Sequence, residues 1–388
     1  MKRNQFVFYS ACLGMLLFGM VMVTLGSILP SVVEKFNLAQ IEAGSLVSIL
    51  PFGILAGSLL FGPIVDRYGY KALLITCALI VLLGMEGIAY AENLTVLNIA
   101  VFLIGFGGGV LNGATNALVA DISEETKGAN LSLLGVFYGL GALGMPTVLN
   151  LLKNLFSTQG IIASVGGFIL AVVILFLFIS FPQPKHAQGF PIKDGVKLLK
   201  SPALLMAGLF LFFTSGMEGL ANNWITSYLE KVRVIDSGKA LFGLSLLAIA
   251  LTISRLLMGR ILKAFTTQQV FFSGLGIGLM ATILLSTATS YPMILAGIVL
   301  LGIGMSTGFP LMLGYVAELF SNLSGTAFSV VLAIALIGNM LINYSMGFIA
   351  ETRSISYWPY LLTTCLVSMI ILLWIFLILM QKEKKQNH

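Results

Sequence analysis

Two acidic residues, Glu86 and Glu218, stand inside long apolar runs of this chain. An ionisable group there is costly to bury and ordinarily faces a partner or an aqueous cavity. Glu218 lies near the middle of its run, in Gly216-Met217-Glu218-Gly219, close to Asn222, Asn223 and Trp224. A carboxyl so placed can exchange a proton, help hold a sodium ion, or bond a hydroxyl of a bound solute. It can equally serve as a static bond between two helices. Glu86 lies nearer the end of its run, from where it can snorkel to the headgroups. Both are candidates for ion coupling. Asn112 and Asn116 are four residues apart, as are Asn339 and Asn343, which on a helix sets each pair on one face a turn apart. An amide offers donors and an acceptor together, which suits a polyhydroxylated solute, and the rings of Tyr138 and Trp224 can stack on its apolar face. The candidate solute ligands are therefore Asn112, Asn116, Tyr138, Asn222, Asn223, Trp224, Asn339 and Asn343. Against this stands the use of Asn as glue between membrane helices, at roughly 0.6 kcal/mol on average.

Holding these groups requires rigid elements, and the composition dictates which. Of 388 residues 58% are hydrophobic and 9% charged, with a mean hydropathy of +1.02. A soluble domain carries about 25% charged residues, so the bilayer must be the main solvent. A spanning helix needs roughly 20 apolar residues. Breaking the sequence at charged and Pro/Gly-rich punctuation predicts twelve spans, near 6–30, 44–63, 71–91, 95–118, 128–152, 160–181, 202–226, 239–260, 269–288, 292–317, 325–348 and 356–380. Runs this long, without strand-like alternation, do not suit a barrel. The expected fold is all-α and integral to the membrane, with twelve transmembrane helices in two six-helix halves.

Charge sets the orientation. With the N-terminus in the cytoplasm, Lys2, Arg3, Arg67, Lys71 and Lys127 fall inside, as do the loop lysines Lys185, Lys193, Lys197 and Lys200. The positive-inside rule then puts both termini in the cytoplasm, and the formal net charge of +6 reflects topology rather than nucleic-acid binding. The first run resembles a secretory signal in its flanks, but further spans follow it instead of a polar mature domain. Cys12, Cys77 and Cys365 all lie in spans, an odd number that fits no disulfide framework. His186 and His388 fall in a loop and a tail, so no histidine relay crosses the membrane. No phosphate-binding loop, metal-ligand cluster or Ser/His/Asp set stands out, so neither an enzyme nor a cofactor or metal is expected.

The Pro- and Lys-rich stretch 182–201 divides the chain into an N-terminal bundle (1–181) and a C-terminal bundle (202–380), followed by a tail (381–388). At an offset of 197 residues Gly19 matches Gly216, Gly62 matches Gly259, Gly105 matches Gly302 and Gly107 matches Gly304. Asp121 likewise meets Glu318, Gly128 meets Gly325 and Ser132 meets Ser329. Parallel six-helix repeats are a recurrent transporter plan with the solute near the midplane between them.

The segment Gly62-Pro63-Ile64-Val65-Asp66-Arg67-Tyr68-Gly69-Tyr70-Lys71 resembles the major facilitator signature G-x-x-x-D-R-x-G-R-[RK], between the second and third helices. It departs at Tyr70, where the family has a basic residue. Asp121 resembles the acid that this basic residue engages when the inner gate is shut. The resemblance implies gating roles for Asp66, Arg67, Lys71 and Asp121, with Glu318 as the repeat equivalent of Asp121. A solvated turn with topogenic charges is the plainer alternative. Arg255, about one turn inside the cytoplasmic end of its run, either snorkels to the headgroups or pairs with Glu318 across that gate.

Four patches are similar to the fucose–galactose–glucose symporters: 105–116, 137–143, 216–224 and 302–310. That family has an acid in its first helix and a glutamate in its fourth, both tied to proton handling. Here the first helix has no acid and Asn112 stands at the glutamate position. The resemblance implies a monomeric secondary transporter of the cell membrane that moves a small polar solute, a monosaccharide, by alternating access coupled to protons or sodium. Efflux of an amphipathic compound is the alternative, although Gly141-Ala142-Leu143-Gly144-Met145-Pro146 does not complete the antiporter pattern G-x-x-x-G-P-x-x-G-G. A transport-dead sensor on the same scaffold would be expected to lose its paired polar groups.

Overall fold

A computed structural model of the chain describes residues 2–38, 40–123, 126–152, 155–183, 198 and 200–386. Six helices come first: α1 (Lys2–Phe36), α2 (Gln40–Tyr68), α3 (Tyr70–Ala89), α4 (Leu94–Ile122), α5 (Lys127–Leu152) and α6 (Thr158–Phe178). Then follow α7 (Pro202–Lys231), α8 (Ser237–Ala264), α9 (Thr267–Thr287), α10a (Tyr291–Met305), α10b (Gly308–Leu319), α11 (Ser324–Thr352) and α12 (Trp358–Gln386). Among the described residues 12 helices are long and apolar enough to cross a membrane, and no strand occurs. The connection at 182–201 lies mostly outside the described residues, as does the end of the tail.

Helix ends are written locally. Asn93 accepts from the Val96 amide, Ser157 from Gly160, and Ser201 from Leu204 with Pro202 behind it. Thr266 and Gln269 form a reciprocal capping box at α9. Such side chains satisfy amides that a helix start leaves without an intrahelical acceptor. The tenth span departs from expectation. Predicted as one helix, it is interrupted at Ser306 and Thr307, between α10a and α10b. Pro310 is the physical reason, because it has no N–H to return to the carbonyl four residues earlier.

The chain packs into two compact units, each holding a short segment from the other sequence half. Unit 1 comprises Met1–Glu124, Leu134–Gly195 and Phe320–Ser329; unit 2 comprises Glu125–Leu133, Val196–Leu319 and Val330–His388. In unit 1, α4 is the central helix, packed against α1, α2 and α3 and buried almost continuously from Gly107 to Ala120. Its glycines make this possible. A Cβ on Gly105 would lie 2.6 Å from the Leu50 carbonyl of α2, and one on Gly107 would lie 2.8 Å from the Cys77 carbonyl of α3. Unit 2 repeats the device. A Cβ on Gly302 would meet the Leu247 carbonyl of α8 at 2.8 Å, and one on Gly304 would lie 2.8 Å from Gly278 of α9. The matched glycines thus mark equivalent crossings, where small residues let backbones approach.

Outward faces are apolar as well: Leu59, Ile99, Leu143, Ile174 and Ile253 are all exposed. A water-soluble protein could not present so much of this surface, whereas a bilayer solvates it. Cys12, Cys77 and Cys365 are free and buried.

Candidate functional site

Unit 2 gathers the helix-7 and helix-11 amides into one bonded cluster. The indole N–H of Trp224 and the amide of Asn223 both donate to Asn343 Oδ1, at 3.2 and 3.1 Å. Asn343 in turn donates to the carbonyl of Asn339 at 2.8 Å, and Asn339 donates to the carbonyl of Ser215 at 2.8 Å. α7 and α11 are thereby tied by polar bonds over about two turns, the i, i+4 spacing of the two asparagines supplying the rungs. Gly219 makes room for this, since a Cβ there would lie 2.2 Å from Asn343 Nδ2. Asn222 donates to the Glu218 carbonyl at 2.9 Å. Asn222 and Asn223 are exposed although Ala221 and Ile225 beside them are buried, so both amides keep polar surface for another partner.

Glu218 and Arg255 form an ion pair between α7 and α8, with Arg255 Nη2 3.0 Å from Glu218 Oε1. This corrects the expectation for Arg255. It neither snorkels nor meets Glu318: it is 8% exposed, while Glu318 stands exposed near the end of α10b. A carboxylate in the middle of α7 draws the guanidinium inward, because two opposite charges in a low-dielectric interior compensate each other's lost hydration. The Arg255 carbonyl also accepts from the buried hydroxyl of Ser132, at 3.0 Å.

Unit 1 holds a second, smaller set. Asn116 is buried and donates to the carbonyl and side-chain oxygen of Asn112, at 2.8 and 3.1 Å. Thr115 shares that carbonyl at 3.2 Å. Tyr138 of α5 packs its ring on Phe18 of α1, centroids 5.6 Å apart. Glu86 is half-buried in α3 and crowds Gly166 of α6, where a Cβ would strike its carboxylate. It stands apart from the amides.

At the turn between α2 and α3, Asp66 is 2% exposed and caps the first turn of α11 within unit 1. It accepts from the Gly325 amide at 3.3 Å, the Thr326 amide at 2.9 Å and the Thr326 hydroxyl at 2.7 Å. A carboxylate at a helix N-terminus satisfies free amides and meets the positive end of the helix dipole. Asp121 at the end of α4 accepts from the hydroxyls of Tyr70 and Ser324. Arg67 lies over the Tyr68 ring, 5.1 Å from its centroid. Lys71 reaches α6 rather than α11. It donates to the Leu177 carbonyl at 2.7 Å, occupying the C-terminus of α6, where a cation meets unpaired carbonyls.

Sequence reasoning missed Ser215, Tyr70, Ser324 and Thr326 as partners of the predicted residues. Ser132 was within reach, because it forms a repeat pair with Ser329.

A family model described as Major Facilitator Superfamily matches residues 11–286 and 243–388. The glucose/mannose transporter GlcP of Bacillus subtilis is 24% identical over 345 residues, covering 85% of this chain and 84% of that protein. The multi-drug resistance efflux pump PmrA of Streptococcus pneumoniae is 28% identical over 176 residues, covering 45% of this chain and 43% of that one. Among solved structures, a variant of the E. coli fucose:proton symporter FucP aligns with a TM-score of 0.80 at 19% identity, covering 96% of this chain and 99% of that one.

Proposed function

Because the chain belongs to the major facilitator superfamily of membrane transporters, we propose that it is a secondary active transporter that takes up a monosaccharide, coupled to a proton or sodium gradient. The carrying observation is the α7–α11 amide cluster, with Asn223 and Trp224 sharing Asn343, beside an acid and its counter-charge inside the membrane. Exposed amides and an indole match sugar hydroxyls and the apolar face of a pyranose better than they match a greasy ligand. The similarity to GlcP supports the same class. In this reading Glu218 couples solute to ion. Asp66 and Asp121 steady one state of the alternating-access cycle. The chain works as a monomer in the cell membrane, with both termini in the cytoplasm.

The test is uptake of labelled glucose, mannose and fucose into vesicles under an imposed proton or sodium gradient, comparing wild type with Glu218→Gln. If Glu218 carries the coupling proton, the variant retains exchange across the membrane and loses accumulation against a gradient. If it binds sugar or sodium directly, binding itself weakens. Normal concentrative uptake by a stable variant would remove Glu218 from the mechanism.

Efflux is the second reading, favoured by the partial match to PmrA. Inside-out vesicles that concentrate an amphipathic dye but no sugar would establish it in place of the first.

A further inference from the structure

Arg255 is more than a counter-ion for Glu218. A guanidinium carries five N–H donors in a planar fork, and the contact with Glu218 uses one nitrogen, Nη2, on one oxygen, Oε1. Arg255 Nε is buried and has no partner. A purely structural pair in an apolar interior would be expected to close as a two-pronged fork and to satisfy the remaining donors, since burying them unpaired is costly. The two partners also differ in access: the Arg255 side chain is 9% exposed and that of Glu218 24%. The cation is fixed at depth, and the acid stands on the more open side. α7 packs against α8, α10b and α12 and is bonded to α11, and from all four Arg255 is the charged group that bears on Glu218. Gly219, the next residue along α7, underlies Asn339 and Asn343, so the ion pair adjoins the amide cluster.

Resting on the reading as a monosaccharide transporter, we infer that Arg255 is an anion-binding residue of the solute site and that the preferred solute is a monosaccharide bearing a carboxylate, of the hexuronate class. Glu218 holds the place that the solute's carboxylate takes. The solute's two oxygens fit the fork of donors that a single Glu218 oxygen leaves unused, while its hydroxyls meet the amides. Charge balances when a proton from water passes to the Glu218 carboxylate as the anion pairs with Arg255. One cation and one anion stand in the site before and after, and each bound carboxylate brings in one proton.

The experiment is calorimetry on purified protein with two matched pairs, D-glucose against D-glucuronate and D-galactose against D-galacturonate, in buffers of different ionisation enthalpy. The expected result is that one uronate binds at least tenfold more tightly than its neutral sugar, with uptake of about one proton per molecule. Glu218→Gln should keep the uronate preference and lose the proton uptake. Arg255→Gln leaves Glu218 unpaired and is at risk of misfolding, so the joint variant Glu218→Gln/Arg255→Gln, which is neutral at both positions, is measured with it. Provided its thermal unfolding stays cooperative, its uronate-to-neutral affinity ratio should fall to near one. Neutral sugars bound as tightly as uronates by the wild type would overturn the inference while leaving the monosaccharide reading in place. A joint variant that keeps the uronate preference would do the same. Binding of none of the four compounds would overturn both.

Discussion

Tyr70 of α3 donates its phenolic hydroxyl to Asp121 of α4, at the position where the family signature places a basic residue. A neutral donor therefore stands where a cation is usual, and the Ser324 hydroxyl adds a second bond to the same carboxylate at 2.7 Å. Tyr70→Phe keeps the buried ring and removes the donor. A hydrogen bond to a charged group contributes about 1.5–3 kcal/mol, so the variant should unfold at a lower temperature and transport at an altered rate with solute affinity unchanged. Unaltered melting and turnover would show that Ser324 alone suffices.

Asp66→Asn keeps one acceptor oxygen and turns the other into an NH2 group facing amides that themselves donate. The loss of a helix cap of this kind costs about 0.5–2 kcal/mol. Transport should fall while solute binding persists, and amide hydrogen exchange at Gly325 and Thr326 should speed up. Wild-type transport in reconstituted vesicles would exclude a gating role.

Asn223→Ala and Trp224→Ala each remove one bond to Asn343 and one surface offered to solute. Losses of about 1 kcal/mol or more apiece, roughly fivefold in Kd, are expected in calorimetry. Unchanged affinity in both variants would reassign the cluster to helix packing.

Gly219→Ala tests the close approach of α7 and α11. Its Cβ would sit 2.2 Å from Asn343 Nδ2, whereas one on Gly167 in α6 would meet nothing within 4 Å. The first change should lower both the melting temperature and the affinity, and Gly167→Ala should leave both as they are. Equal behaviour of the two variants would refute the arrangement of the amide cluster.

The spans were legible in the sequence because the bilayer imposes a length and an apolar composition that no packing detail can override. The internal repeat was legible because glycine at a helix crossing has no substitute, as Gly105 and Gly302 show. Partner choice was not legible. In helices apolar on every side, periodicity does not reveal which way Arg255 turns, and its meeting with Glu218 depends on how α7 and α8 are rotated against each other. Bonds from a side chain to a distant backbone escape a sequence reading for a related reason. Lys71 on Leu177 and Asp66 on Thr326 join residues whose own types give no sign of the pairing. The break between α10a and α10b was foreshadowed by Pro310, but two other helix prolines, Pro51 and Pro63, lie inside the unbroken helix α2.

The bond from Trp224 to Asn343 also gives the protein an optical signal of its own. The chain has three tryptophans. Trp358 is fully buried and donates to the Leu220 carbonyl at 2.9 Å, and Trp374 lies 63% exposed on the apolar surface of α12. Trp224 alone adjoins the amide cluster, and indole emission responds to the loss or exchange of its hydrogen-bond partner. With Trp358 and Trp374 replaced by Phe, ultraviolet fluorescence would follow events at Asn343 in real time without an attached dye.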